Sequence, residues 1–189
     1  MHDPDQGLVE RTLAGDLSAF EKLVQRHQGV AYRIAARIAG PDEAEDITQD
    51  AFLRAFHRLS RFRAEGSFRA WLLQIVHNTA LNVRGGRRSE PREEVESLVE
   101  ATAADELERT PAERLEDRER RERLDSKLRM LQPAHRAVLV LRDLEGMSYE
   151  EIATVTETPL GSVKGRLHRA RRELIQILRE NTYDWELPK

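Results

Sequence analysis

The 189-residue chain contains no cysteine, which excludes a disulfide framework and a thiolate-held metal and describes an intracellular protein of one or two small domains. No basic-then-apolar leader opens it, and no apolar run approaches the roughly 18 residues that a membrane span requires. A soluble, cytoplasmic protein without a membrane span is therefore expected. The six histidines are scattered, and neither a nucleophile motif nor a Gly-rich phosphate loop occurs, so no catalytic residue, metal or cofactor is expected. An excess of basic charge is also missing. The formal net charge is -3, which is not the total expected of a nucleic-acid binder, so the distribution has to decide. Residues 89–110 hold eight acidic and two basic side chains, and without them the chain is mildly basic.

What is present is organised around residues 147–174, MSYEEIATVTETPLGSVKGRLHRARREL. Ser148 and Glu151 have the spacing of a capping box that starts a short helix carrying Ile152 and Ala153 inward. Residues 156–158 compete for backbone hydrogen bonds, and Pro159 is pre-set for the first turn of a second helix. There Val163, Leu167, Ala170, Leu174 and Ile177 recur in steps of four and three and form the packing face. The opposite face carries Gly161, Ser162, Gly165, His168, Arg169 and Arg172, flanked by Lys164, Arg166 and Arg171. Residues 159–172 contain five basic side chains and no acidic one. Small residues at a helix N-terminus allow close approach to a backbone, and the amides there favour phosphate. This is the layout of a DNA-reading helix-turn-helix.

The first seventy residues predict three short helices before Gly40 and Pro41. The first begins at Asp5, the second follows an N-cap at Asp16 and carries Phe20, Leu23 and Val24, and the third carries Val30, Ala31, Ile34 and Ile38. Asp42 with Glu45 reads as a second capping box, opening a helix through Ile47, Ala51, Phe52 and Ala55 to about Leu59. Its first turns hold Asp42, Glu43, Glu45, Asp46 and Asp50, more acid than a helix dipole needs, and the surplus suits docking to a basic partner. Next comes a polar loop with Phe62, and then a helix capped by Ser67 that bears Phe68, Trp71, Leu72, Ile75 and Val76. Phe68 and Trp71 read as core. That helix ends in Gly85, Gly86, Arg87 and Arg88, a flexible basic terminus suited to phosphate.

The expected fold is all-α, with two small helical domains joined by a flexible acidic linker and a helix-turn-helix in the second. The boundaries are 1–88 for the first domain, 89–110 for the linker, 111–180 for the second domain and 181–189 for a polar tail. The second domain starts with a helix from Pro111 to Leu124, Leu128 and Leu131, followed by one opened by Pro133 that ends near Gly146. A stand-alone helix-turn-helix regulator dimerising through 111–131 is the alternative, although that helix lacks a sustained heptad.

The motifs AFEKLVQRH, EAEDITQDAFLRAF, FRAWLLQIVHNTALN and LQPAHRAVLVLRDLEGMSYEEIATVTETPLGSVKGRLHRARREL stand in this order. Together they resemble the extracytoplasmic-function sigma factors of bacterial RNA polymerase, over nearly the whole chain. The resemblance implies a first domain that binds polymerase core and the minus-10 promoter element and a second that reads the minus-35 element. It places Glu45, Asp46, Gln49 and Asp50 against the polymerase clamp helices. It gives the minus-10 element Arg61, Phe62 and Arg63 in a base-capturing loop over 61–66, and Asn78, Asn82, Arg84, Arg87 and Arg88 along the melted strand. For the minus-35 duplex it implies Ser162, Lys164, Gly165, Arg166, His168, Arg169 and Arg172. Promoter DNA, the core enzyme's largest subunits and an anti-sigma protein are the implied partners. Asn82 stands where the family more often has aspartate, and Gly165 where it more often has a hydroxyl residue.

Overall fold

The computed structural model describes residues 3–63, 66–86 and 111–180. Among the described residues there are eight α-helices and no strand. The first half holds α1 (Gln6–Leu13), α2 (Leu17–Ile38), α3 (Pro41–Arg58) with a 3-10 turn at Leu59–Arg61, and α4 (Phe68–Gly86). The second holds α5 (Pro111–Met130), α6 (Pro133–Leu139) running into a π turn at Val140–Leu144, α7 (Tyr149–Val155) and α8 (Leu160–Glu180).

The two helices expected between Asp16 and Gly40 are one. Buried Leu23, His27, Val30, Ala31, Ile34, Ala35 and Ile38 keep helical spacing across exposed Gly29, whose cost of about 1 kcal/mol is small beside that burial. Asp16 caps this helix through the Ala19 amide, and hydrogen bonds from Ser18 and Arg11 hold its carboxyl down at about 2. Asp5 does precede α1, but its side chain does not cap it. The carboxylate is buried, lies 2.7 Å from His27 Nε2 and pairs with Arg26.

The capping box expected at Asp42 and Glu45 is absent. Pro41 begins α3 directly after Gly40, whose φ of 128° favours glycine, and Asp42 falls inside the first turn, where it serves the helix dipole. Glu45 instead accepts from Gln49 at 3.1 Å. At α4, Ser67 Oγ reaches the Ala70 amide only at 3.5 Å, whereas Asp3 Oδ2 accepts from the Phe68 amide at 2.6 Å. Gly85 and Gly86 lie inside α4 rather than in an extended terminus. Arg87, Arg88, the acidic run and the tail fall outside the described residues.

The helices of the first half bury Leu23, Ile34, Ile38, Ile47, Phe68, Leu72 and Leu73, each contributing about 1.5 to 3 kcal/mol of transfer free energy. The second half buries Leu128, Leu131, Leu141, Met147, Ile152, Val155, Val163 and Leu167. A tether alone was expected to join these halves, yet α4 packs along α7, and α2 meets α5 and α6. Arg136 stands at the second of these contacts with 1% of its surface exposed. It donates to the Leu128, Arg129 and Leu131 carbonyls at the end of α5 and to the Ile38 carbonyl at the end of α2. One guanidinium thus satisfies orphan carbonyls of two helices and sits at the negative end of both dipoles.

Candidate nucleic-acid interface

The helix-turn-helix is built as its residues predict. Ser148 Oγ accepts from the Glu151 amide at 3.1 Å, and the Glu151 carboxylate accepts from the Ser148 amide at 2.8 Å, completing the capping box. The turn ends with Glu157 at φ 50° and Pro159, whose carbonyl accepts from the Ser162 and Val163 amides. Val163, Leu167 and Ala170 are buried, and Leu174 and Ile177 half-buried, so the other side of α8 is forced outward.

That outward side holds Ser162, Lys164, His168, Arg169 and Arg172, all exposed, with Gly165 and Arg166 at its edge. Its cations divide into two groups. Arg166 donates to Thr158 Oγ1 at 3.1 Å, Lys164 lies 5.6 Å from the Tyr149 ring centre, and Arg171 pairs with Asp143 through two hydrogen bonds. Those bonds raise the Arg171 guanidinium further above its already high range. Arg169 and Arg172 have no acidic partner among the described residues, so their charge is available to a ligand, and His168 stands exposed beside them. A Cβ on Gly165 would meet only an Arg169 nitrogen at 4.0 Å, so the glycine is not demanded by packing and leaves room for a backbone to approach. Behind this face Glu173 anchors α8 to α6, accepting from the Gln132 amide at 3.1 Å and contacting His135. Burial alone would raise its carboxyl, but those two hydrogen bonds and the His135 charge hold it below the ordinary range.

In the first half, Glu45, Asp46 and Gln49 are exposed on α3 and Asp50 half-exposed, opposite buried Ala44, Ile47, Thr48 and Ala51. Asp50 pairs with Arg54 at 2.8 Å. Arg61 and Arg63 are exposed, but Phe62 is half-buried and packs on Phe68 and Trp71, with ring centres 5.8 and 5.4 Å away. Its ring is thereby fixed beside α4. Asn78 is half-exposed and Asn82 exposed on α4, while of Arg84 only the backbone is described.

A cleft of about 270 Å³ lies between α3 and α4, lined by Arg54, Arg58, Arg61, Trp71, Gln74, Ile75, Asn78 and Thr79, with Glu157 from the second half. Sequence reading missed Arg54, Arg58, Gln74 and Thr79. They lie on two helices, and only the packing of α3 on α4 brings them to one wall. Below it His77 is buried, and burial pushes its imidazole down although the Asn78 hydrogen bond and the Glu157 charge act the other way.

Two family models match, Sigma-70 region 2 over residues 23–90 and Sigma-70 region 4 over residues 121–174. The RNA polymerase sigma-H factor of Pseudomonas aeruginosa is 35% identical over 93% of this chain and 94% of its own length. The chain belongs to the extracytoplasmic-function sigma factors. This sigma factor directs bacterial RNA polymerase to promoters. The ECF RNA polymerase sigma-E factor of Escherichia coli K12 is likewise 35% identical, over 90% of this chain and 92% of that protein. Among solved structures, CnrH in complex with the cytosolic domain of CnrY matches 95% of the sigma factor and 99% of that chain, with a TM-score of 0.69 and 33% identity. The sigma factor RpoE in complex with NepR, from Bartonella quintana, shares the fold at a TM-score of 0.59 and 21% identity, covering 86% of this chain and 98% of that one. A stand-alone regulator is not favoured, because the first half matches region 2 in its own right. No helix among the described residues is long and apolar enough to cross a membrane.

Proposed function

We propose that the sigma factor divides promoter recognition between the outward face of α8 and the cleft side of α3 and α4. Ser162, Lys164, Gly165, Arg166, His168, Arg169 and Arg172 meet the minus-35 duplex. Arg61, Phe62, Arg63, Asn78, Asn82, Arg84, Arg87 and Arg88 serve the minus-10 strand. Glu45, Asp46, Gln49 and Asp50 dock on the polymerase clamp. The observation that carries this reading is the segregation on α8, where buried Val163, Leu167 and Ala170 leave Arg169 and Arg172 outward and without an acidic partner among the described residues, with His168 exposed between them and the turn. Phosphates attract such cations without regard to sequence, and a bidentate arginine distinguishes guanine in the major groove.

The cleft supports the second assignment. A melted strand offers phosphates and splayed bases, and the cleft offers three arginines, a tryptophan and the side-chain amides of Gln74 and Asn78. Phe62 acts by fixing the loop on the Phe68 and Trp71 rings rather than by stacking freely. The protein has no catalytic step of its own, works in the cytoplasm beside the polymerase, and is held in check by an anti-sigma protein. Domain limits of 1–88 and 111–180 follow the same reading. Gel filtration with purified core enzyme, followed by run-off transcription on genomic fragments, tests it. One copy should enter the large complex and produce discrete transcripts, and a chain that binds core without starting discrete transcripts would overturn the assignment.

A further inference from the structure

Two acids of the short segment before α1 reach across the first half to the start of α4. The Asp5 amide donates to Asp3 Oδ1 and the Gln6 amide to the Asp3 carbonyl, both at 3.1 Å, which fixes Asp3 beside its neighbours. Its other carboxylate oxygen accepts from the Phe68 amide at 2.6 Å, the first amide of α4. A charged acceptor there makes a strong hydrogen bond and meets the positive end of the helix dipole. Ser67, the residue placed by sequence to cap α4, reaches the Ala70 amide only at 3.5 Å. The effective cap therefore comes from a distant part of the chain.

Asp5 holds α2 instead. Its carboxylate is 2% exposed, lies 2.7 Å from His27 Nε2 and pairs with Arg26, which also donates to the Pro4 carbonyl at 3.3 Å. His27 is buried in turn, with its ring centre 5.7 Å from that of Phe68. The Phe68 ring carries Phe62 on one side and Trp71 on another, each centre 5.8 Å away. Phe62 leaves the 3-10 turn at Leu59–Arg61 and Phe68 opens α4, so the chain on either side of Arg63 rests on one ring cluster. An apolar contact would hold the segment without the cost of burying a carboxylate. Directional bonds fix orientation as well, and orientation is what a base-reading loop requires.

We propose that Asp3 and Asp5 are positioning residues for minus-10 recognition. Asp3 holds the start of α4, and Asp5 holds the Phe62 end through His27 and the Phe68 ring, so that Arg61 and Arg63 stand ready for the melted strand. The inference rests on the minus-10 assignment above. A loop already held in its bound geometry needs no ordering when the strand arrives, and one lost cap shifts such an equilibrium about fivefold.

The test measures holoenzyme affinity for two labelled DNAs from a promoter found by run-off transcription: the single non-template strand across minus-10, and a duplex carrying minus-35 alone. Asp3→Ala should bind the strand about fivefold more weakly and the duplex as wild type does, and Asp5→Asn should act in the same direction. Loss of folded protein would lower the active titre on both DNAs alike, so instability does not produce this split. Asp3→Asn keeps an acceptor for the Phe68 amide and should recover most of the loss. Asp16→Ala removes the same charge and another carboxylate cap, that of α2, and should match wild type on both DNAs. Wild-type strand binding by Asp3→Ala, or equal weakening by Asp16→Ala, would overturn the inference. Arg63→Ala separates it from the reading beneath it. If Arg63→Ala weakens strand binding and Asp3→Ala does not, the minus-10 assignment stands and the positioning role falls; if neither does, both fall. In the free protein the Phe68 amide should exchange with solvent about fivefold faster in Asp3→Ala than in Asp16→Ala, and equal rates would refute the cap itself.

Discussion

Helices α3 and α8 are both long and amphipathic, and each turns one side to solvent, yet the exposed residues of the first turns of α3 and those of the outward side of α8 carry opposite charge. The outward residues of α3 include Asp42, Glu45 and Asp46, whereas those of α8 include Lys164, Arg169 and Arg172. A formal net charge of -3 averages these two surfaces away. The contrast teaches that the class of partner is legible helix by helix and not from the total. Charge on a helix is also not all available to a partner, since Asp50 is engaged by Arg54 and Arg171 by Asp143.

The largest effect should come from a cation that belongs to neither surface. Arg136→Ala removes a buried guanidinium from carbonyls of two helices and should cost about 3 kcal/mol or more in chemical denaturation. Arg136→Lys should rescue little of it, because an ammonium cannot span the same carbonyls. A small loss would mean that the halves do not depend on this residue.

On the acidic side, Asp46→Lys with Asp50→Lys should weaken core binding by about 2 kcal/mol or more, through like charge meeting the partner. The stability to denaturant should change by less than about 1 kcal/mol, since Asp46 is exposed and the partly exposed i,i+4 pair of Asp50 with Arg54 contributes little. Titration of labelled sigma factor with core enzyme reads the first quantity. Normal binding with a large loss of stability would make this face structural.

Two helix caps give a smaller comparison across the halves. Ser148→Ala and Asp3→Ala should each cost about 1 kcal/mol, the usual worth of an N-terminal cap. Only the first was readable in advance. Ser148 and Glu151 are three residues apart, and their geometry follows from local spacing, as do the buried stripe of α8 and the acid-rich start of α3. The Asp3 carboxylate reaches Phe68 from sixty-five residues away, and the Asp5 partner His27 lies twenty-two away. Such pairings follow from how α1, α2 and α4 meet, which no window of sequence contains. The same holds for the cleft, whose Arg54 and Arg58 come from α3 and whose Gln74 and Thr79 come from α4. The capping box at Asp42 failed for a different reason, because Pro41 starts the helix first. Contact between the halves was invisible because ion pairs such as Arg33 with Glu145 bridge more than a hundred residues.

The smallest effect concerns pH. Burial lowers the His77 imidazole below its unfolded value of 6.5, so the unfolded chain binds more protons wherever the two states differ. This contribution to stability is complete above pH 6.5 and is lost as pH falls through the depressed folded value. His77→Gln should flatten the dependence of stability on pH below 6.5, as followed by denaturation at a series of pH values. An unchanged slope would locate the acid sensitivity elsewhere.

Salt dependence of promoter binding tests the division of labour most directly. With holoenzyme on a promoter found by run-off transcription, log affinity should fall steeply with log salt for wild type. Arg169→Ala and Arg172→Ala should each either flatten that slope by about 0.9, marking a lost phosphate contact, or relax one minus-35 position by about 1 to 3 kcal/mol, marking a lost base contact. Binding of the double variant with wild-type affinity, slope and sequence preference would contradict the assignment of α8 to the duplex.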